Sequence, residues 1–234
     1  MRDNTKTLEF YKKVYDMDSG FIENDRGRIQ RIIEQRGADF ETIPSCYSGI
    51  ANDYFLRFYV SYTMGMSREE LLPDIKKCIE NGLLGCNGNV YGDLERILYL
   101  TIIFSLHEYN DDIKTRLTKF KGYQDIYMEH LYHFIDDSFE ITTEKLFWQK
   151  ECKPLFDVIQ LAQTDKEAAV KRLKTFVDKR WFKTLKDGII TNTSKCYRGY
   201  WCIEAAALVK VLGLDDAELK DCKYYPYDMA HFCD

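Results

Sequence analysis

The sequence is poor in proline and in histidine, with four of each. Little proline leaves few fixed interruptions of the backbone, which favours long helices. No stretch reaches the roughly 20 apolar residues that a membrane-crossing helix needs. The densest run, Ile97 to Leu106, already contains Thr101 and Ser105. The first ten residues, MRDNTKTLEF, hold no apolar signal-peptide core, so the expected location is the cytoplasm. There is no Walker-type phosphate loop and no dinucleotide-binding glycine fingerprint. Internal repeats, low-complexity tracts and long linkers are also missing. The eight cysteines, at 46, 78, 86, 152, 196, 202, 222 and 233, are scattered without a compact framework. In a reducing compartment they are expected to be free thiols.

What is present is ample material for a core. The 234 residues are 45% hydrophobic, with a high 15% aromatic share, and a chain of this length buries a core without staples. The net charge of -5 argues against nucleic acid as the direct ligand. Its distribution is uneven. From Gln124 to Glu151 seven acidic residues stand against two basic ones, and from Thr164 to Arg198 ten basic residues stand against four acidic ones.

Apolar residues recur at helical spacing along the whole chain. Asp3, Asn4 and Thr5 are placed to open a helix through Leu8, Tyr11 and Val14, which Gly20 and Gly27 interrupt before Ile29, Ile32 and Ile33. One kinked helix or two in sequence are expected there. A loop with Pro44 follows, then a helix over Tyr47 to Met64. Ser67 and Glu70 form a capping box for a helix that Asn81 and Gly82 end, with Pro73 after its first turn. Asp93 caps a central, buried helix. The segment from His107 to Asp112 is polar and turn-rich, giving a division into residues 1–110 and 111–234, or one compact unit. Thr142 or Thr143 opens a helix holding Leu146, Phe147 and Trp148, with Pro154 dividing it. Thr164 with Glu167 suggests a second capping box, for a helix ending near Gly188. Alternating strands are not found, and the predicted fold is an all-α bundle of antiparallel helices with short loops.

Chemical motifs are weak. His130 and His133 lie on one helix face beside Glu129, and Cys222, His231 and Cys233 cluster near the end, but neither set has the paired spacing of a metal site. No metal and no cofactor is expected, and a hydrogen-bonding His231 is the simpler reading. Cysteines and histidines share no signature of nucleophilic catalysis. Asp136, Asp137 and Glu140 read as a solvated acidic helix end before they read as hydrolase carboxylates. Lys171, Arg172, Lys174, Lys179, Arg180 and Lys183 make a basic stripe, the best argument for the alternative of a nucleic-acid-binding regulator. The same residues flank a clean apolar stripe, as a solvated helix face does. A small metal-dependent enzyme is the other alternative.

The most informative stretch runs from Tyr197 to the end. Trp201, Ala205, Leu208 and Leu212 share a helix face, three alanines allow close approach, and Gly213 suits a left-handed terminus. Asp215 is a candidate N-cap with Glu218 closing a box, and Pro226 holds Tyr224, Tyr225 and Tyr227 in a non-helical arm. The string GYWCIEAAALVKVLGLDDAELKD, followed by YYPYDMAHF, resembles the C-terminal signature of the PoNi immunity proteins, antitoxins to PoNe-type DNases of polymorphic-toxin systems. Cys202 and Cys222 depart from that pattern. The resemblance implies a bacterial immunity protein that is not an enzyme and that binds and neutralises a cognate DNase toxin domain, without membrane or direct nucleic-acid contact. Homodimer formation is left open. Tyr200, Trp201, Glu204, Gly213, Tyr225, Pro226, Tyr227, Asp228 and His231 are then a structural signature. The implied toxin contacts are acidic: Asp136, Asp137 and Glu140 in the middle of the chain, and Asp215, Asp216, Glu218 and Asp221 near its end.

Overall fold

A computed structural model describes residues 1–185 and 195–232. Among the described residues every regular element is a helix and no strand occurs, which makes the fold an all-α multi-helix bundle. The elements are α1 (Leu8–Arg36), α2 (Ile43–Met64), α3 (Arg68–Gly85), α4 (Tyr91–Phe104), α5 (Asn110–Lys119), α6 (Ile126–His133), α7 (Lys153–Ala162), α8 (Lys166–Phe176), α9 (Phe182–Leu185), α10 (Ile203–Leu212) and α11 (Tyr227–Ala230). The chain divides into two compact units: Met1–Ile97 with Ile190–Gly199, and Leu98–Ile189 with Tyr200–Asp234. The expected helix end near Gly188 lies outside the described residues.

In the first unit α1 is continuous through both Gly20 and Gly27, and its N-cap is Thr7, whose hydroxyl accepts the Phe10 N–H at 3.2 Å. Pro44 sits in the first turn of α2, where its missing N–H costs nothing. The Ser67–Glu70 capping box forms as predicted. Gly82, however, does not end α3, which runs on to Gly85. A Cβ at Gly82 would come within 2.9 Å of Ile97, and one at Gly85 within 2.6 Å of the Ser48 backbone nitrogen. Both glycines therefore mark close helix approach, and α2 and α4 supply the neighbours.

Polar locks complete this unit. Arg57 on α2 makes a two-pronged contact with Asp74 on α3, at 2.8 and 2.5 Å. Arg2 closes the end of α2 by donating to the carbonyls of Tyr62 and Met66 at 2.8 and 3.0 Å. Asp18 and Arg198 are buried at 1% and 6% exposure and paired through both carboxylate oxygens, one of them at 2.7 Å from Nε. Arg198 also accepts the Thr63 hydroxyl on its carbonyl at 2.6 Å, while the neighbouring Tyr197 donates to Asp3 at 2.5 Å. A segment distant in sequence thus joins the first unit through one buried ion pair.

The second unit is built round α10. Ala205, Ala206 and Ala207 are wholly buried, and Gly213 ends the helix in the left-handed region at φ 56°. The Lys210 ammonium satisfies the end of α4 by donating to the Ile103 carbonyl at 2.7 Å and the Ser105 hydroxyl at 3.1 Å. Two predicted caps differ. Asp93 lies inside α4 and accepts the Ser48 hydroxyl at 2.8 Å. The cap of α8 is Asp165, accepting the Ala168 N–H at 2.9 Å, in place of Thr164. After α8 the backbone passes through a π-helical turn, Val177–Trp181.

Asp53, on α2, carries the clearest acid–base consequence. Burial first, then the charges of Asp25 and Asp18, push its pKa up to about 6 from an ordinary 3.8. The folded chain therefore holds this proton more tightly than the unfolded one. Stability from it is full below pH 3.8 and is lost as the pH rises through about 6. Asp53→Asn is expected to raise stability at pH 7 by about 1–2 kcal/mol and to flatten the profile between pH 4 and 6. Urea unfolding across that range measures it, and an unchanged profile contradicts the assignment.

Candidate functional site

The acidic middle segment is organised by one face of α6. The spacing Asp125, Glu129, His133 places three polar side chains on successive turns of α6, and each holds a different part of residues 139–147. Asp125 is wholly buried. One of its oxygens caps α6 by accepting the Tyr127 and Met128 N–H groups at 2.8 and 3.4 Å, and the other accepts the Phe147 N–H at 2.5 Å. Glu129, at 3% exposure, accepts the Thr142 and Thr143 N–H groups at 2.7 and 2.8 Å and the Thr143 hydroxyl at 2.7 Å. His133 Nδ1 lies 2.8 Å from the Phe139 carbonyl. The Ile126 N–H adds a backbone bond to the Lys145 carbonyl at 2.9 Å.

The predicted helix from Thr142 through Trp148 is accordingly not there. Residues 134–152 form no regular helix, and α7 begins at Lys153 with Pro154 in its first turn. Thr142 and Thr143 give their backbone donors to a buried carboxylate on α6, and no helix follows them before α7. Between Thr142 and Trp148 only Leu146 is buried. Asp137, Glu140, Glu144 and Glu151 are exposed, as are Phe147 and Trp148. Asp136 is half-buried. The Ser138 hydroxyl at 2.5 Å, with Lys114 3.5 Å away, holds its carboxyl below the usual range.

The C-terminal candidates divide in the same way. Asp215, Glu218 and Asp221 are exposed. Asp216 is buried at 4% exposure, accepting the Tyr225 hydroxyl at 2.6 Å and lying 3.1 Å from His231 Nε2 through both oxygens. It is an internal anchor, withdrawn from the surface. The turn after Gly213 is a short 3-10 helix, Ala217–Leu219, with Asp215 accepting the Ala217 N–H at 3.1 Å in place of the expected capping box. Glu218 faces Lys174 at 3.9 Å.

The signature residues are divided between the core and the surface. Trp201 and Tyr225 are buried, as is Pro226, which precedes the single turn α11 where a non-helical arm was expected. Tyr200 packs edge-on against Phe182 and Tyr224, whose own rings stack 5.1 Å apart. Glu204 accepts the Trp181 indole N–H at 3.1 Å, and burial pushes its carboxyl pKa up. Tyr227 lies against His231 at 4.6 Å, and Asp228 is exposed.

The competing chemistries gain little. Among the described residues no group of three or more metal-ligating side chains converges. Cys233 lies outside the described residues. Burial holds the His130 imidazole below its ordinary range, and its ring packs 5.4 Å from Phe156. In the basic stripe Lys171 pairs with Glu167, Arg172 with Asp157 and Lys174 with Glu218, leaving Lys179, Arg180 and Lys183 on the exposed side. No helix among the described residues is long and apolar enough to cross a membrane.

Residues 123–229 match the family model described as "PoNe immunity proteins (PoNi), C-terminal". This agrees with the resemblance read from the end of the chain and extends it back over α6, the clamped segment and the acidic patch in the middle of the chain. No curated protein and no solved structure matches the chain.

Removing the Glu129 carboxylate leaves the Thr142 and Thr143 donors without their acceptor. Glu129→Ala is expected to cost about 2–3 kcal/mol in urea unfolding and to speed hydrogen exchange at both amides. Unchanged stability with unchanged exchange contradicts the clamp.

Proposed function

We propose that the chain is a bacterial immunity protein that binds a PoNe-type DNase toxin domain and neutralises it by covering the surface DNA would occupy. The observation that carries this reading is the family match over residues 123–229. The exposed carboxylates of the second unit support it: Asp137, Glu140, Glu144 and Glu151 on the clamped segment, and Asp215, Glu218 and Asp221 near the end. A nuclease that holds a DNA backbone presents lysine and arginine to phosphate, and an acidic protein surface attracts and occupies such a site. The chain's part is binding, with no bond made or broken and no cofactor. It acts in the cytoplasm, where a toxin reaches the chromosome.

The paired state of Lys171, Arg172 and Lys174 leaves the nucleic-acid-binding alternative with Lys179, Arg180 and Lys183 as the exposed cations of the stripe outside these pairs. The test is the toxin domain encoded beside this gene, expressed with and without the chain. The expected result is survival only with the chain, and an equimolar complex whose association slows about tenfold or more between low and high salt. Full cleavage of DNA in a molar excess of the chain contradicts it.

A further inference from the structure

We infer that Phe147 and Trp148 are the anchor of the toxin-contacting surface, taking arginine or lysine side chains from the phosphate-binding face of the nuclease. The inference rests on the proposed function and names the part of the second unit that performs it.

Three observations lead there. The first is exposure without isolation. Phe147 is 46% and Trp148 51% exposed, and of the large apolar side chains exposed among the described residues they alone are neighbours in sequence. Leaving about half of two large aromatic side chains in water forgoes burial worth about 1 kcal/mol each. Such residues, when a partner buries them, dominate binding energy.

The second is that their backbone is fixed before any partner arrives. The Phe147 N–H is bound by the wholly buried Asp125, Leu146 beside it is rooted in the core, and the Trp148 carbonyl accepts the Cys152 N–H at 2.8 Å. The Gln149 side chain donates to the Leu146 carbonyl at 2.9 Å. An irregular segment with this many ties pays little ordering entropy on binding.

The third is the chemistry of the surroundings. Between residues 136 and 151 five acidic residues stand against two basic ones, and four of the five acids are exposed. The Lys145 ammonium already lies 4.1 Å from the Phe147 ring centroid, the kind of cation–π contact that an incoming guanidinium makes best with an indole. Aromatic faces flanked by carboxylates suit a cationic protein surface and repel a nucleic acid. A basic nuclease face fits both features at once.

The experiment uses the full chain and a catalytically inactivated nuclease domain from the adjacent gene, with affinity read by calorimetry. Phe147→Ala with Trp148→Ala is expected to weaken binding by about 30-fold or more while the chain stays folded with a cooperative thermal transition, because about half of each side chain is exposed. A second variant, Glu140→Lys with Glu144→Lys, is expected to slow association and reduce its salt dependence. Tight binding retained by both variants overturns the inference and leaves the proposed function standing. Failure of the unaltered chain to bind is failure of the proposed function itself. If the unaltered chain is instead a dimer that the aromatic variant dissociates, the patch serves a second copy and the inference is overturned.

Discussion

A carboxylate taken out of water must find hydrogen-bond donors, and four of them organise the non-helical parts of this protein. Asp18 gathers Arg198 and with it the distant segment at Cys196–Arg198. Asp125 and Glu129 gather residues 142–147. Asp216 gathers Tyr225 and His231. Each is buried to 4% exposure or less. Helices satisfy their own backbone, so an all-α chain has little else with which to fix an irregular segment. Buried acids do that work here, and each one that is lost frees donors as well as removing charge.

This division of labour explains why an acidic protein has two populations of acid. The internal ones are committed to structure and are unavailable to any partner. The external ones, Asp137, Glu140 and Glu144 among them, ride on backbone that the internal ones hold. Electrostatic attraction to a cationic partner acts at long range and sets the rate of encounter. The aromatic step at Phe147 and Trp148 acts only at contact, where desolvation makes it strong. Charge and anchor reside on one pinned segment, so both are presented in a fixed orientation. The C-terminal signature is a separate feature of the second unit. Its Trp201, alanine run and Tyr225 serve packing.

Much of the fold was legible because helical information is local. The Ser67–Glu70 box, the Gly213 terminus and the burial of the alanine helix all follow from residues within a turn or two of each other. The failures share a cause in long-range contact. Gly82 resembles a stop until Ile97 is seen packed against it. Thr142 to Trp148 has helix-like apolar spacing and a plausible cap, but its donors are claimed by α6 from outside the segment. The signal for that was present as Asp125, Glu129 and His133 at four-residue intervals along α6, a polar stripe too regular to be solvation and too sparse for a metal. Asp216 sits beside the exposed Asp215, and only the position of Tyr225 distinguishes the two. Arg198 likewise gives no local sign that it completes the first unit.

The account stands most directly on where a bound nuclease is felt. Hydrogen–deuterium exchange of the full chain, with and without the inactivated toxin domain, reads this along the backbone. The account predicts strong added protection in residues 136–151, centred on Trp148, and little change along α1. Protection confined to α1, with exchange across 136–151 unaltered, would contradict it.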